Sequence, residues 1–343
     1  MHDGEIPPCD RILLAHGSGG LLMRNLIEKF ILRYLCSPEL LPLDDAAELS
    51  LESTSIAFTT DMFVVKPIFF PGGDIGSLAI SGTVNDLLMK GAKPASLSLG
   101  LILEEGFPLA HLERILESIR QTCDRADVRI VTGDTKVVGR GEADGVYINT
   151  AGIGCILPHV KVSGANARPG DVVIVSGSVG RHGIAVMAER NGLHLRVPVL
   201  SDAMPMTHTV LPLLERFPKA LHVLRDPTRG GVAATLNEIA SASGVSIVLT
   251  ESTVPIDDTV LAVCDLLGFD PLYLPCEGRF VAVVEPSAAL DIIAFLTSLD
   301  DCRDAAIIGE VTGSPSGEVH LLTASGVLKI LDLPAGEMLP RIC

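Results

Sequence analysis

Apolar residues recur at helical spacing between 21 and 35. Leu22, Leu26, Phe30 and Leu35 fall on one stripe, with Ile27, Ile31 and Tyr34 beside it, and this predicts a helix. Residues 56–65 are rich in β-formers and carry Asp61 in their middle. Residues 75–90 read as a helix stopped by Gly91. Leu97, Leu99, Leu101 and Leu103 alternate, which predicts a half-buried strand over 96–103. Leu112, Ile115, Leu116 and Ile119 predict an amphipathic helix over 109–125, with strands following at 128–132 and 146–156. The stretch LPHVKVSGANARPG (157–170) loses this periodicity and holds two prolines and two glycines, so it marks a boundary. Beyond it, strands are predicted at 171–175, 246–249, 280–284 and 306–311, and helices near 184–189, 204–217, 228–242 and 258–267. The pattern is therefore two α/β halves: a domain over 1–156, a linker over 157–170, a second domain over 171–332, and an irregular tail over 333–343.

Composition narrows the function classes. A chain of 343 residues is long enough for two cores, and 48% hydrophobic against 20% charged residues excludes a mainly disordered chain. The 42 acidic and 26 basic residues give a net charge of −16, which argues against nucleic acid or an anionic membrane as the main partner. No apolar run approaches the ~20 residues of a spanning helix, and MHDGEIPPCD is not a signal peptide. The eight cysteines form no CxxC pair, so a cytoplasmic, reducing location is expected.

Candidate chemistry lies in short motifs. Asp44 and Asp45 (LDDAA), Asp61 (TTDMF), Asp86 (VNDLL) and Asp134 (TGDTK) could converge on Mg²⁺, which takes oxygen ligands and keeps phosphates in its shell, or could be turn caps. HGSGG, from His16 through Gly17, Ser18 and Gly19 to Gly20, precedes a helix and suits either a phosphate or a simple cap, and it lacks the Walker lysine. RDPTRGG (225–231) opens another predicted helix, where Arg229 and the glycine amides could meet an anion or Thr228 could simply cap the helix after a proline turn. CEGR (276–279) places Glu277 beside a glycine where a ligand could approach, or leaves it a solvated loop residue, and Lys136 in TGDTKVV could serve chemistry or be merely paired with the aspartates around it. Cys343 ends a Pro- and Gly-broken stretch, the geometry of a carrier thiol or of an accidental one.

Taken in order, HGSGG, DDAA, TTD, VNDLLMKGA, TGDTKVV, RDPTRGG, CEGR and LPRIC closely resemble the HypE family of hydrogenase maturation factors. That family belongs to the superfamily of aminoimidazole ribonucleotide synthetase, selenophosphate synthetase and thiamine-monophosphate kinase. The resemblance covers nearly the whole chain and implies a two-domain α/β (α+β) fold whose N-terminal domains pair in a homodimer. It implies ATP with Mg²⁺ held by Asp44, Asp61, Asp86 and Asp134, Asp45 being a less certain fifth. Residues 16–20 would form the glycine loop over the nucleotide. Lys136 and Glu277 would serve a dehydration, and Cys343 would carry the substrate on a mobile tail. The implied activity is carbamoyl dehydration: an S-carbamoyl group received from the carbamoyltransferase HypF becomes a thiocyanate. Its cyanide then goes to the HypC–HypD complex for the iron of [NiFe]-hydrogenase. LDDAA departs from relatives that carry glycine before the paired aspartates, which bears on the shape of that loop. Two other readings stand beside this one: another ATP-dependent phosphotransferase of the superfamily, and a non-catalytic assembly scaffold using Cys343 for docking.

Overall fold

The computed structural model describes residues 10–17, 21–41, 49–51, 55–193, 195–313 and 317–333. Ser18, Gly19, Gly20, Asp44, Asp45 and Cys343, with the tail from 334, lie outside the described residues.

The first helical stretch is α1 (Leu21–Leu26), a π turn (Ile27–Ile31) and α2 (Leu32–Tyr34), in place of one regular helix. After β1 (Ile56–Phe63) come the short strands β2 (Phe69–Phe70) and β3 (Gly73–Asp74), then α3 (Ile75–Met89). Asp74 caps α3 by accepting from the amides of Gly76 and Ser77 at 2.7 and 3.1 Å, while Ser77 Oγ accepts from the Asp74 amide at 3.0 Å. Almost every α3 residue is buried, so this is a central helix with no solvent face. Then follow β4 (Ala92–Glu104), α4 (Leu109–Ala126), β5 (Arg129–Val138) and β6 (Val146–Ile156). The α4 stripe is as predicted: Leu112, Ile115, Leu116 and Ile119 are buried. Among the described residues the sheet order is β1-β6-β4-β5, with only β4–β5 parallel. Helices α3 and α4 cover one of its faces. Among the described residues the other is uncovered and carries exposed Ile56, Phe58, Met62 and Ile102.

Sequence periodicity ended a strand at Thr132, whereas β5 runs on to Val138. The continuation pairs in parallel with β4 as far as Glu104↔Val138. Its exposed Asp134 and Lys136 look like loop residues because the face they occupy is uncovered among the described residues.

The second half holds β7 (Val172–Val175), α5 (Arg181–Arg190), α6 (Thr207–Arg216), β8 (Leu221–Arg225), α7 (Gly231–Ser243), β9 (Ser246–Thr250), α8 (Asp258–Leu267), β10 (Val281–Val284), α9 (Ala289–Thr297), β11 (Ala306–Thr312), β12 (Val319–Leu322) and β13 (Leu328–Ile330). Its sheet order is β13-β12-β9-β11-β7-β10-β8. Strands β8, β12 and β13 and helix α9 are additions to the sequence pattern; β8 is short and interrupted by the polar His222. Residues 157–170 contain no helix or strand, yet Val160 and Val162 are buried and the segment is packed. One apolar cluster joins Leu78, Ile80 and Val84 of α3 to Val186, Met206, Val210, Leu213 and Phe280 of the second half. The two units thus share a core across α3, which sets the walls of the cleft between them.

Candidate active site

Three motifs distant in sequence are stitched together at that cleft. The loop 226–230 leaves β8 and enters α7 at Gly231, whose φ is +62°. A Cβ there would lie 2.5 Å from the Leu272 carbonyl and 2.6 Å from that of Leu274, so only glycine lets the chain over 272–277 cross so closely. The Cys276 amide donates to the Pro227 carbonyl at 2.9 Å, which ties CEGR to RDPTRGG. Asn85, buried on α3, fastens both to the N-terminal unit. Its Nδ2 donates to the carbonyls of Met204 (3.0 Å) and Glu277 (3.2 Å), and its Oδ1 accepts from the Met206 amide (2.9 Å).

The result is a cleft of about 280 Å³ lined by Asp61, Asp86, Asp226, Arg225, Arg229 and Glu277, among others. Thr83 Oγ1 donates to Asp61 Oδ2 at 3.2 Å, and Thr59 Oγ1 donates to Asp86 Oδ2 at 2.7 Å. Burial, and then the nearby charges of Asp226 and Asp61, push Asp86 up to about 7 against the Thr59 hydrogen bond. Burial also lifts Asp226 to about 6, with Asp61 adding to it and Arg225 opposing. On the cationic side Arg225 pairs with Glu238 at 2.6 Å, and Arg229 is exposed.

Carboxylates that resist ionising together form a negative pocket which a hard cation would relieve. Among the described residues no group of three or more His, Cys, Asp or Glu forms a ready-made metal cage. Mg²⁺ does not need one: it is bound through one or two carboxylates, keeps its waters, and takes the rest of its shell from substrate phosphates. Asp61, Asp86 and Asp226 fit that mode, with Arg229 available to an anion. Asp226 was not singled out from the sequence, although it lies inside RDPTRGG; only the fold shows that it meets Asp86.

The remaining candidates stand elsewhere in the protomer. The registers Asp61↔Thr150↔Leu99↔Gly133 and Met62↔Asn149↔Gly100↔Asp134 are adjacent rows of one sheet, and side chains alternate along strands. Asp61 therefore points to the helix-covered face, and Asp134 and Lys136 to the open one. Asp134 Oδ1 accepts from the neighbouring Thr135 amide at 2.8 Å. His16 is buried in the 3₁₀ turn Leu14–Gly17, where Nδ1 accepts from the Leu13 amide at 2.9 Å. That turn lies against β5, so tightly that a Cβ on Gly17 would come within 2.9 Å of Val137. His16 and Gly17 thus pack on the Val137 side of β5 and Asp134 and Lys136 lie on its other side, and none of the four lines the Asp61–Asp86–Asp226–Glu277 cleft.

The fold matches known proteins over nearly its whole length. The profile "AIR synthase related protein, N-terminal domain" matches residues 43–156, and the corresponding C-terminal domain matches 168–322. The carbamoyl dehydratase HypE of Azotobacter vinelandii is 44% identical over 330 residues, covering 96% of each chain. A crystal structure of the hydrogenase maturation protein HypE in complex with ATP superposes with a TM-score of 0.93 at 44% identity, covering 96% of this chain and 99% of that one. A crystal structure of a HypE–HypF complex matches with a TM-score of 0.80 at 44% identity, covering 90% and 99%. With both domain profiles matched and this identity sustained from end to end, the chain belongs to the HypE carbamoyl dehydratase family of AIR synthase-related proteins.

Proposed function

We propose that this protein dehydrates an S-carbamoyl group on Cys343 to a thiocyanate at the expense of ATP, for the cyanide ligands of a [NiFe]-hydrogenase. The cleft carries this reading: crowded carboxylates next to arginines, with the buried Glu277 on the same wall, suit phosphoryl transfer followed by proton removal. The ATP-bound relative supports the nucleotide, and the HypE–HypF complex supports HypF as the carbamoyl donor.

The thiocarbamate R–S–C(=O)–NH₂ cannot easily lose water, because its oxygen is a poor leaving group. Its oxygen attacks the γ-phosphorus of ATP, forming a C–O–P link and releasing ADP, while one N–H proton is lost. Removal of the second N–H proton then breaks the C–O bond and gives R–S–C≡N and inorganic phosphate. Glu277 would take a proton and Lys136 would relay one or steady the phosphate. Asp61, Asp86 and Asp226, with Asp44 and Asp134, would hold Mg²⁺, which neutralises phosphate charge when bound. Cyanide passes to HypC–HypD.

Asp134 and Lys136 face away from the Asp61 cleft of their own chain. A homodimer formed through the open sheet face, with its exposed Phe58 and Met62, would supply them from the partner protomer. Among the described residues the cysteines are free, and no helix is long and apolar enough to cross a membrane, in keeping with a cytoplasmic setting.

The test is mass analysis of the C-terminal peptide after incubation with HypF, its carbamoyl substrate, ATP and Mg²⁺. A carbamoyl adduct on Cys343 that loses water only when ATP is present is expected; modification of another cysteine would sink the carrier role. Mixing Asp86→Asn protein with Lys136→Ala protein should restore turnover that neither shows alone. No restoration in verified mixed dimers would refute the cross-protomer site.

A further inference from the structure

Glu277 is held from both sides by residues outside the cleft. Its carbonyl accepts from Asn85, and its amide donates to Asp202 Oδ1 at 3.1 Å. The Asp202 side chain is 0% exposed. Its Oδ2 lies 3.9 Å from Arg279 Nε and, among the described residues, makes no hydrogen bond. Arg279 is itself fixed, donating to the Asp301 carbonyl at 2.8 Å and the Ser178 carbonyl at 3.4 Å. The loop bearing Asp202 cannot drift. The Ser201 amide donates to Pro71 at 2.8 Å, Ser201 Oγ accepts from the Ala203 amide at 3.0 Å, and Met204 and Met206 are tied to Asn85. The Asp202 carbonyl passes 1.9 Å from where a Cβ on Gly278 would be, so the two loops lie in backbone contact.

Here the acceptor is rigidly placed, on the same residue whose carbonyl makes the Gly278 contact. We propose that Asp202, anchored beside Arg279, is a positioning residue that fixes the Glu277 backbone and so aims its carboxylate into the cleft for proton removal. This rests on Glu277 acting as the base in the proposed function.

The decisive comparison uses full-length protein carbamoylated on Cys343, with single-turnover conversion to thiocyanate followed by mass, and Mg-ATP affinity measured separately. Asp202→Ala should slow conversion about 10- to 100-fold, the usual cost of removing an outer-shell support, with Mg-ATP affinity unchanged within about twofold. Asp202→Asn, which keeps an acceptor at the same place, should recover most of that rate. If the alanine variant does not fold, Asp202→Ser, whose shorter hydroxyl draws back from the Glu277 amide, is measured in its place and should show the same loss. Glu277→Gln is run in parallel. A slow Glu277→Gln with a normal Asp202→Ala overturns the positioning role alone. A normal Glu277→Gln overturns the base assignment and the positioning role with it. Nucleotide affinity falling in step with the rate, or an asparagine variant no faster than alanine, also overturns the proposal.

Discussion

Asn85→Ala tests whether α3 clamps the two units together as the hydrogen bonds indicate. Asn85 is 1% exposed, and truncating it strands three backbone groups: the carbonyls of Met204 and Glu277 and the amide of Met206. A buried polar group left unmade costs about 1–3 kcal/mol. Three at the low end, with water entering from the neighbouring cleft, give about 3 kcal/mol. That is a large part of a total that is typically about 5–15 kcal/mol. At about 2–4 °C per kcal/mol for a chain of this size or somewhat smaller, the melting midpoint should fall by roughly 6–12 °C. Loss of the clamp should also broaden the transition or split it, since the units would no longer melt together. Scanning calorimetry with a parallel urea titration measures both. Asn85→Asp is the informative partner: it keeps the acceptor for Met206, loses both donors, and sets a carboxylate beside Asp86. It should resemble alanine in stability at neutral pH and weaken further as pH rises. A midpoint for Asn85→Ala within about 1 °C of the parent, with one sharp transition, would refute the clamp.

Gly278→Ala should give little soluble, folded protein, because the added methyl would sit 1.9 Å from the Asp202 carbonyl, a backbone atom that cannot swing away; a normal melting curve would contradict this. Alkylation of the native protein near neutral pH should label exposed Cys36 and spare Cys123, Cys264, Cys276 and Cys302, as read by peptide mass mapping. Burial raises all four thiols, Cys123 to about 12 and Cys264 to about 11. Asp86 is raised by burial, then by Asp226 and Asp61, to about 7. The folded state then holds a proton that the unfolded chain releases near pH 4. In chelator, its contribution to stability should therefore decline from about pH 4 up to about pH 7. Asp86→Asn should flatten that slope, and an unchanged pH profile of the melting midpoint would refute the crowding.

Elements whose signal is local were legible in the chain. The α4 stripe through Leu112, Ile115, Leu116 and Ile119 predicts a helix that the structure contains, because one face alone meets the core. The alternation of Leu97, Leu99, Leu101 and Leu103 likewise predicts β4. Features settled at long range were not. Strand β5 continues through Asp134 and Lys136 because its parallel neighbour β4 supplies the hydrogen bonds, and no residue within TGDTKVV announces that. Asp226 reads as a turn residue until Asp86 and Asp61 stand beside it. Asn85 lies within a recognised motif, but its role depends on a carbonyl 192 residues away.

The division of the candidate residues between two faces of one sheet is the main consequence of the register, and motif order could not disclose it. An isolated protomer would present Ile56, Phe58 and Met62 to water in alternation along the edge strand β1, with Phe58 67% and Met62 72% exposed. A soluble chain rarely leaves such an edge unpartnered, because it invites indiscriminate pairing. Asp134 and Lys136 occupy the same face, so whatever covers the apolar strip also approaches them. A second copy bringing the same strip would bury both apolar sets and carry its own Asp134 and Lys136 to the partner. Among the described residues the cleft behind the sheet is lined by crowded carboxylates and by no lysine. Pairing across the open face, if it occurs, would account with one contact for the exposed apolar strip and for the separation of Lys136 from Glu277.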